Sequence, residues 1–341
     1  MAVTIYDIAK RANVSPSTIS RALQDHPRIG AKTRRQIQAL AKEMGYIPSD
    51  VARSLTTNRT QTIGMVVATT ADPFIGRVVE GVEQAAIQAD FNVFISTSQN
   101  DRRRELAVIE TLQRRRVDGI IVVASHVVDA YWRHLERIHI PVVIIDEQDI
   151  SDKIHFITVD DKQGAQSAVE YLIGLGHRRI GYVGVTNRPK GNQYRFHGYL
   201  RALELAGIAP EPALIFEDKT IESHAKRGEA SLETLWAAGA TAIFCYNDVT
   251  AIGLLSACYQ RGLTVPDHLS VMGFDDIDMA AYAIPPLTTI RQPQFELGQW
   301  AMQMLLDLLN GEKPENQIVP GNLVIRQTTA GLLPYRRLLT P

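Results

Sequence analysis

Thr4-Ile5-Tyr6-Asp7-Ile8-Ala9-Lys10-Arg11-Ala12-Asn13-Val14-Ser15-Pro16-Ser17-Thr18-Ile19-Ser20-Arg21 contains two helix starts in quick succession. Thr4 and Asp7 have the spacing of a capping box, with a hydroxyl and a carboxylate able to satisfy free helix-end N–H groups. Ile5, Ile8, Ala9 and Ala12 form one apolar stripe, which Asn13-Val14 interrupts. Ser15 supplies a second cap, and Pro16 takes the first helical position, where a missing N–H costs nothing. Ile19, Ala22 and Leu23 then face inward, so Ser17, Ser20, Arg21 and Gln24 point out, with Pro16 at the flank. A third helical pattern, from about Ala31 to Met44, buries Ile37, Leu40, Ala41 and Met44 before Gly45 stops it. Two short helices, a tight turn and an outer face of small polar residues plus one Arg describe a helix-turn-helix. Arg21 is of the type that pairs with guanine, and Ser17 and Ser20 can donate to a phosphate or a base. The competing reading is a small helical bundle used for protein contact.

Charge favours nucleic acid. Residues 1–60 carry ten Lys/Arg against four Asp/Glu, a net +6, whereas the rest of the chain is −7, for −1 overall. A basic head on a mildly acidic body suits a polyanion partner for the head alone. The full length of 341 residues fits two or three domains, and 45% hydrophobic against 21% charged residues is enough to build packed cores. No apolar run approaches the roughly 18 residues that span a bilayer. The start of the chain lacks a signal-peptide layout, and two cysteines, Cys245 and Cys258, make no disulfide framework. The expectation is a cytoplasmic protein with no membrane partner.

Beyond Thr62, short β-branched runs alternate with amphipathic stretches. One strand series is expected at Ile63–Ala68, Asn92–Ser96, Gly119–Val123 and Val142–Asp146, and a second at Ile180–Val185, Ala213–Phe216, Ala242–Cys245 and Ser270–Phe274. Helical patterns lie between them, at Gly76–Asp90, Arg103–Arg115, Gly164–Gly174, Arg195–Ala206 and Thr250–Arg261. Apolar strands alternating with helices mean doubly wound parallel sheets, and two series mean two similar lobes. Ligands in such folds sit beyond the carboxyl ends of the strands. Those ends are polar here: Asp72-Pro73-Phe74, Asp146, Asn247-Asp248 and Asp275-Asp276, with Arg195 expected to open a helix and Gln292 to follow a crossover. Carboxylates, an amide, an Arg and an aromatic ring suit a neutral polyol. The plainer reading of an Asp or Asn after a strand is a helix cap.

The stretch Val3 to Arg21, together with Gly45-Tyr46-Ile47-Pro48-Ser49-Asp50-Val51-Ala52-Arg53-Ser54-Leu55, resembles the headpiece of the LacI/GalR family of bacterial transcriptional regulators, and the similarity continues to about residue 331. The resemblance implies a helix-turn-helix domain over 1–48, a hinge helix and linker over 49–61, and a periplasmic-binding-protein-like (type I) α/β core. In that core residues 62–161 and 292–321 form one lobe, and 162–291 and 322–341 the other, joined by three crossovers. The DNA-contacting set is Thr4, Pro16, Ser17, Ser20, Arg21, Ala52 and Leu55, with Leu55 as a minor-groove wedge on a segment too short to be a stable helix alone. One departure matters: Pro16 has no side-chain hydrogen bond to offer a base, only shape and apolar contact. The effector-contacting set is Asp72, Phe74, Asp146, Arg195, Asn247, Asp275 and Gln292. A repressor is implied, binding a near-palindromic operator as a homodimer under control of an effector that is most readily a sugar or sugar derivative, although Arg195 and Asp275 would suit a sugar, a sugar phosphate or a purine. Val78, Val79 and Val82 are equally a candidate dimer face or ordinary packing against the sheet, and no leucine heptad follows residue 331, which favours a dimer.

Nothing in the sequence supplies an enzyme. There is no G-x-x-x-x-G-K-[ST], H-E-x-x-H, G-x-S-x-G or strand-embedded G-x-G-x-x-G. His134 and His139 are five apart, which does not align two metal ligands on one helix face, and two distant cysteines make no zinc site. No cofactor or metal is expected. An exported sugar-binding protein would share the body but has no use for Thr4–Arg59. A cytosolic α/β enzyme would need a nucleophile, metal or cofactor loop. The Arg102-Arg103-Arg104 and Arg114-Arg115-Arg116 runs read as solvated helix faces.

Overall fold

The computed structural model describes residues 3–46, 59–123, 140–146, 155–185, 189–221 and 223–332, so Ala52, Leu55, His134 and His139 lie outside the described residues. The chain divides into two compact units, Met1–Thr60 and Gln61–Pro341.

The first unit is three helices: α1 (Ile5–Ala12), α2 (Pro16–Leu23) and α3 (Ala31–Glu43). The capping box expected at α1 is present, with the Thr4 N–H donating to Asp7 Oδ2 at 2.8 Å and the Asp7 N–H to Thr4 Oγ1 at 3.3 Å. Asn13, at φ +49, closes α1 in the left-handed region that Asn tolerates. Ser15 then caps α2 through the Thr18 N–H, with Pro16 at its first position. Ile8, Ala9, Ile19, Ala22, Ile37 and Ala41 form the buried core, so the apolar stripes meet as their periodicity requires.

The second unit is built on two parallel sheets. A six-stranded sheet is ordered β11-β5-β4-β3-β1-β2, from Thr62–Val67 (β1), Asn92–Thr97 (β2), Gly119–Val123 (β3), Val142–Ile145 (β4), His155–Val159 (β5) and Gln317–Val319 (β11). A four-stranded sheet is ordered β7-β6-β8-β9, from Ile180–Val183 (β6), Ile215–Phe216 (β7), Ala242–Cys245 (β8) and Ser270–Met272 (β9). Each sheet is covered on both faces. Ile121 and Val123 join one apolar cluster while Ile120 and Val122 join the other, which is why these strands read as unbroken hydrophobic runs. At the open edge, β2 turns Phe94 and Ile95 to solvent.

The chain passes between the sheets three times. It leaves β5 for the helix Asp161–Gly174, which packs on Pro189–Leu205 beside the second sheet. It returns after Thr289–Arg291 (β10) through Gln294–Leu309, a helix packed on β3, β4 and β5. It leaves again after β11, and Asn322–Val324 (β12) pairs antiparallel with β10. The helix pairs over the sheets touch backbone to backbone at glycines. A Cβ on Gly228 would lie 1.9 Å from the Thr250 carbonyl oxygen, and one on Gly253 2.0 Å from that of Ala225. Helices Pro73–Gln88 and Gln294–Leu309 make the same kind of contact through Gly81 and Gly298. For Val78 and Val82 the structure favours ordinary packing against the sheet over a dimer face. Both are fully buried in the core beneath their own helix.

Candidate functional site

In the head, Pro16, Ser17 and Arg21 are exposed on α2 and Ser20 is half-buried, while Ile19 and Ala22 are buried opposite them. The Ser17 hydroxyl pairs with that of Ser15 at 2.8 Å, and the Thr4 hydroxyl donates to Asp7 Oδ2 at 2.7 Å. Both hydroxyls therefore serve their helix starts as well as facing solvent. Sequence reasoning passed over Tyr6, whose phenol on α1 is 74% exposed. An aromatic lying off the apolar stripe was the available signal.

In the body, five of the seven residues expected at the effector site converge. Arg195 is the centre, and it does not open a helix as expected. It sits inside Pro189–Leu205, which begins with a proline at a permitted first-turn position. The side chain is 6% exposed. Its Nε donates to Asp161 Oδ1 at 2.7 Å, its Nη1 to the Tyr246 carbonyl at 2.6 Å and to Asp275 Oδ1 at 3.3 Å, and its plane lies 3.9 Å over the Phe274 ring centroid. Asp275, 5% exposed and at φ +118, also accepts the Gln292 amide N–H at 2.7 Å, and its carbonyl accepts that of Gln294 at 2.6 Å. Gln292 is equally buried, and its Oε1 has no hydrogen-bond partner. Asp146 and Asp72, which follow strands of the other sheet, lie close enough to act electrostatically on Arg195 and Asp275 respectively.

The other two residues are placed differently. Asn247 caps Asp248–Gln260, its side chain accepting the Thr250 N–H at 2.9 Å. Phe74 belongs to the apolar cluster beneath the six-stranded sheet, and Asp72 caps its helix through the Phe74 N–H at 3.0 Å. Asp161 was not foreseen. As the second Asp of the Asp160-Asp161 pair at a helix start it carried only a capping signal, and Asp160 is the residue that caps, through the Gln163 N–H at 2.9 Å.

One guanidinium faces two buried carboxyl groups, more than a single cation can neutralise if both ionise. Burial alone would push the Arg195 guanidinium down, but Asp161, Asp275 and Asp146 outweigh it and hold its proton firmly. Burial pushes the Asp275 carboxyl up, with the Arg195 guanidinium opposing and Asp248 and Asp72 adding to the rise. A carboxylate in that condition gains from each hydroxyl that donates to it.

Asp248 is the more extreme case. Burial pushes its carboxyl up to about 7, against hydrogen bonds from Thr289 Oγ1 at 2.5 Å and the Ile277 N–H at 2.9 Å. The folded state holds a proton that the unfolded chain releases near pH 4. Stability from this group is therefore complete below that pH and is lost as pH rises toward about 7. Asp248→Asn should gain on the parent by an amount on the order of 2–4 kcal/mol between pH 4 and pH 8. Urea melts across that range would measure it, and a gap that does not change with pH would show Asp248 ionised throughout.

Among the described residues no group of His, Cys, Asp and Glu could hold a metal ion, and no helix is long and apolar enough to cross a membrane.

Residues 4–49 match the family model for bacterial regulatory proteins, lacI family, and residues 169–329 match that for a periplasmic binding protein-like domain. The chain is 33% identical to the HTH-type transcriptional repressor CytR of Escherichia coli (strain K12), over 97% of both chains. It superposes on the lac repressor dimer bound to operator and the anti-inducer ONPF with a TM-score of 0.86, at 29% identity, covering 97% of this chain and all of that one. A LacI family transcriptional regulator from Enterococcus faecium with bound ribose matches at a TM-score of 0.71 and 30% identity, over 80% of this chain and all of that one.

Proposed function

This chain belongs to the lacI family of bacterial regulatory proteins, and from that premise we propose that it is a cytoplasmic, homodimeric repressor of transcription, not an enzyme. Its paired heads bind a near-palindromic operator, with Thr4, Pro16, Ser17, Ser20 and Arg21 on the DNA side and Ala52 and Leu55 in a hinge. The observation that carries the reading is the outer face of α2: exposed Pro16, Ser17 and Arg21 on a helix held from behind by Ile19 and Ala22. The β2 edge, which no other strand pairs with among the described residues, turns Phe94 and Ile95 outward and supports a second copy of the chain as a partner.

Enrichment from a random DNA pool tests the whole statement. The selected sequence should be a near-palindrome, and an asymmetric single half-site would sink the dimer. On that sequence Arg21→Ala should cost about 1–3 kcal/mol of binding, with little loss on random DNA. Equal loss on both would reduce Arg21 to a phosphate contact.

The body takes a small polyhydroxylated effector at the strand ends, held by Asp275, Arg195 and Gln292, with Asp146 and Asp72 acting on them from the other sheet. The buried carboxyl of Asp275 and the partnerless Gln292 Oε1 support a ligand that donates hydroxyl hydrogens. The Enterococcus relative carries ribose, which favours a sugar-like molecule. Effector binding changes the arrangement of the lobes and so the spacing of the heads.

A further inference from the structure

The second sheet carries another polar corner, where the segment 217–221 approaches the start of the helix His224–Ala237. Ser223 caps that helix through the Lys226 N–H at 3.4 Å. One turn in stands Arg227, 1% exposed and the bulkiest fully buried side chain among the described residues. Its Nη2 donates to the carbonyl oxygens of Asp218, at 3.2 Å, and Ile221. Its Nε and Nη1 are buried without a hydrogen-bond partner.

That is an expensive arrangement. A guanidinium has five donors, and a buried donor left without an acceptor costs about 1–3 kcal/mol, more when charged. The neighbours do not make up the deficit. Glu217 accepts the Asn192 amide at 3.2 Å, and Asp218 accepts the Thr220 N–H and hydroxyl at 2.7 and 2.6 Å. Burial still pulls the Arg227 guanidinium down despite Tyr246, Asp218 and Glu217 nearby. Thr250 Oγ1, on the residue whose backbone meets Gly228, is likewise buried without a partner.

The corner connects directly to the site around Arg195. Tyr246 hydrogen-bonds His224 through its hydroxyl and accepts the Arg195 Nη1 through its carbonyl. One residue therefore touches both corners, and at the second the Nε and Nη1 of a buried guanidinium lack an acceptor. A neutral sugar would satisfy the first and leave Arg227 as it stands. We propose that Arg227 is a specificity-determining residue of the effector site, and that the effector is a polyol bearing an oxyanion, a phosphate or carboxylate, which accepts from Nε and Nη1 of Arg227 beside the amino end of His224–Ala237. The inference rests on Asp275 and Arg195 being effector contacts.

The test uses the full chain and two simple probes, inorganic phosphate and acetate, titrated at fixed ionic strength against sodium chloride. Melting temperature and tryptophan fluorescence are read, since Trp236 lies on the same helix as Arg227. At least one probe should saturate, and whichever binds more tightly says whether the oxyanion is a phosphate or a carboxylate. Arg227→Gln and Arg227→Met should each weaken that saturable response at least tenfold. The basic head contributes a response common to all variants, so the difference between them is the readout. Asp275→Asn should keep the oxyanion response while losing control of operator binding by effector. Failure of this inference and failure of the effector reading are thus separate results. No saturable response to either probe in the parent protein overturns the proposal. So does an equal response in whichever Arg227 variant folds.

Discussion

Arg195→Met should destabilise the body by about 3–5 kcal/mol at pH 8, the expected cost of removing one partner from a buried ion pair. The guanidinium is buried against Asp161 at 2.7 Å and Asp275 at 3.3 Å, and both carboxylates are buried with it. Met can fill much of the space over the Phe274 ring but supplies no charge. Without Arg195 the carboxyls must take up protons to remain inside, so their folded-state pKa values rise further above the unfolded ones. A group shifted upward stabilises the fold at low pH and loses that contribution as pH rises. The deficit of Arg195→Met against the parent should therefore shrink between pH 8 and pH 5. Urea melts of the two proteins at both pH values measure it. A deficit that is the same at both would mean that Arg195 acts through its stacking on Phe274 and its bond to the Tyr246 carbonyl, not through the carboxyls.

Asp275→Asn should separate stability from regulation. Arg195 and Asp161 already form a pair, so Asp275 is the carboxyl in excess, pushed up by burial and held at a position with φ +118 that few side chains adopt readily. Asn keeps the shape and tolerates that backbone region, so the melting temperature should hold or rise. Effector binding should suffer. A carboxylate that accepts two hydroxyls gains about 1.5–3 kcal/mol from each charge-assisted bond, so the affinity loss should exceed about a hundredfold. Operator-binding curves with and without effector would show a repressor that no longer responds at the parent's effector concentration. A folded Asp275→Asn that responds at that concentration would place the ligand elsewhere.

The two mutants also separate what each residue does to the fold. Arg195 is integral to the packing of its lobe, and Asp275 is a charge that the lobe holds in spite of packing. Residues of the second kind mark function better than buried residues in general. Arg227, with two buried N–H groups and no acceptor, is of that kind as well.

Local rules alone determined the head. Thr4, Ser15 and Pro16 announce helix starts through short-range hydrogen bonds and a fixed φ, and the apolar stripes leave one way to pack three short helices. The alternation of apolar runs and amphipathic stretches likewise determined two parallel sheets, because strands buried on both faces must be hydrophobic at every position. The short strands and returning segments were not legible. β10, β11 and β12 have three residues each, too few for a periodicity, and exist because the crossovers bring their partners alongside. The site was legible as a set of polar strand ends but not as a set of contacts. Only the tertiary structure decided that Arg195 meets Asp161 and Asp275 while Asn247 caps a helix, because the same Asp or Asn after a strand serves either purpose. Nor could the sequence mark Arg227, whose isolated Arg on a polar helix start reads as solvated. Its guanidinium is buried where the segment 217–221 approaches the helix, a contact that no helical or strand periodicity encodes.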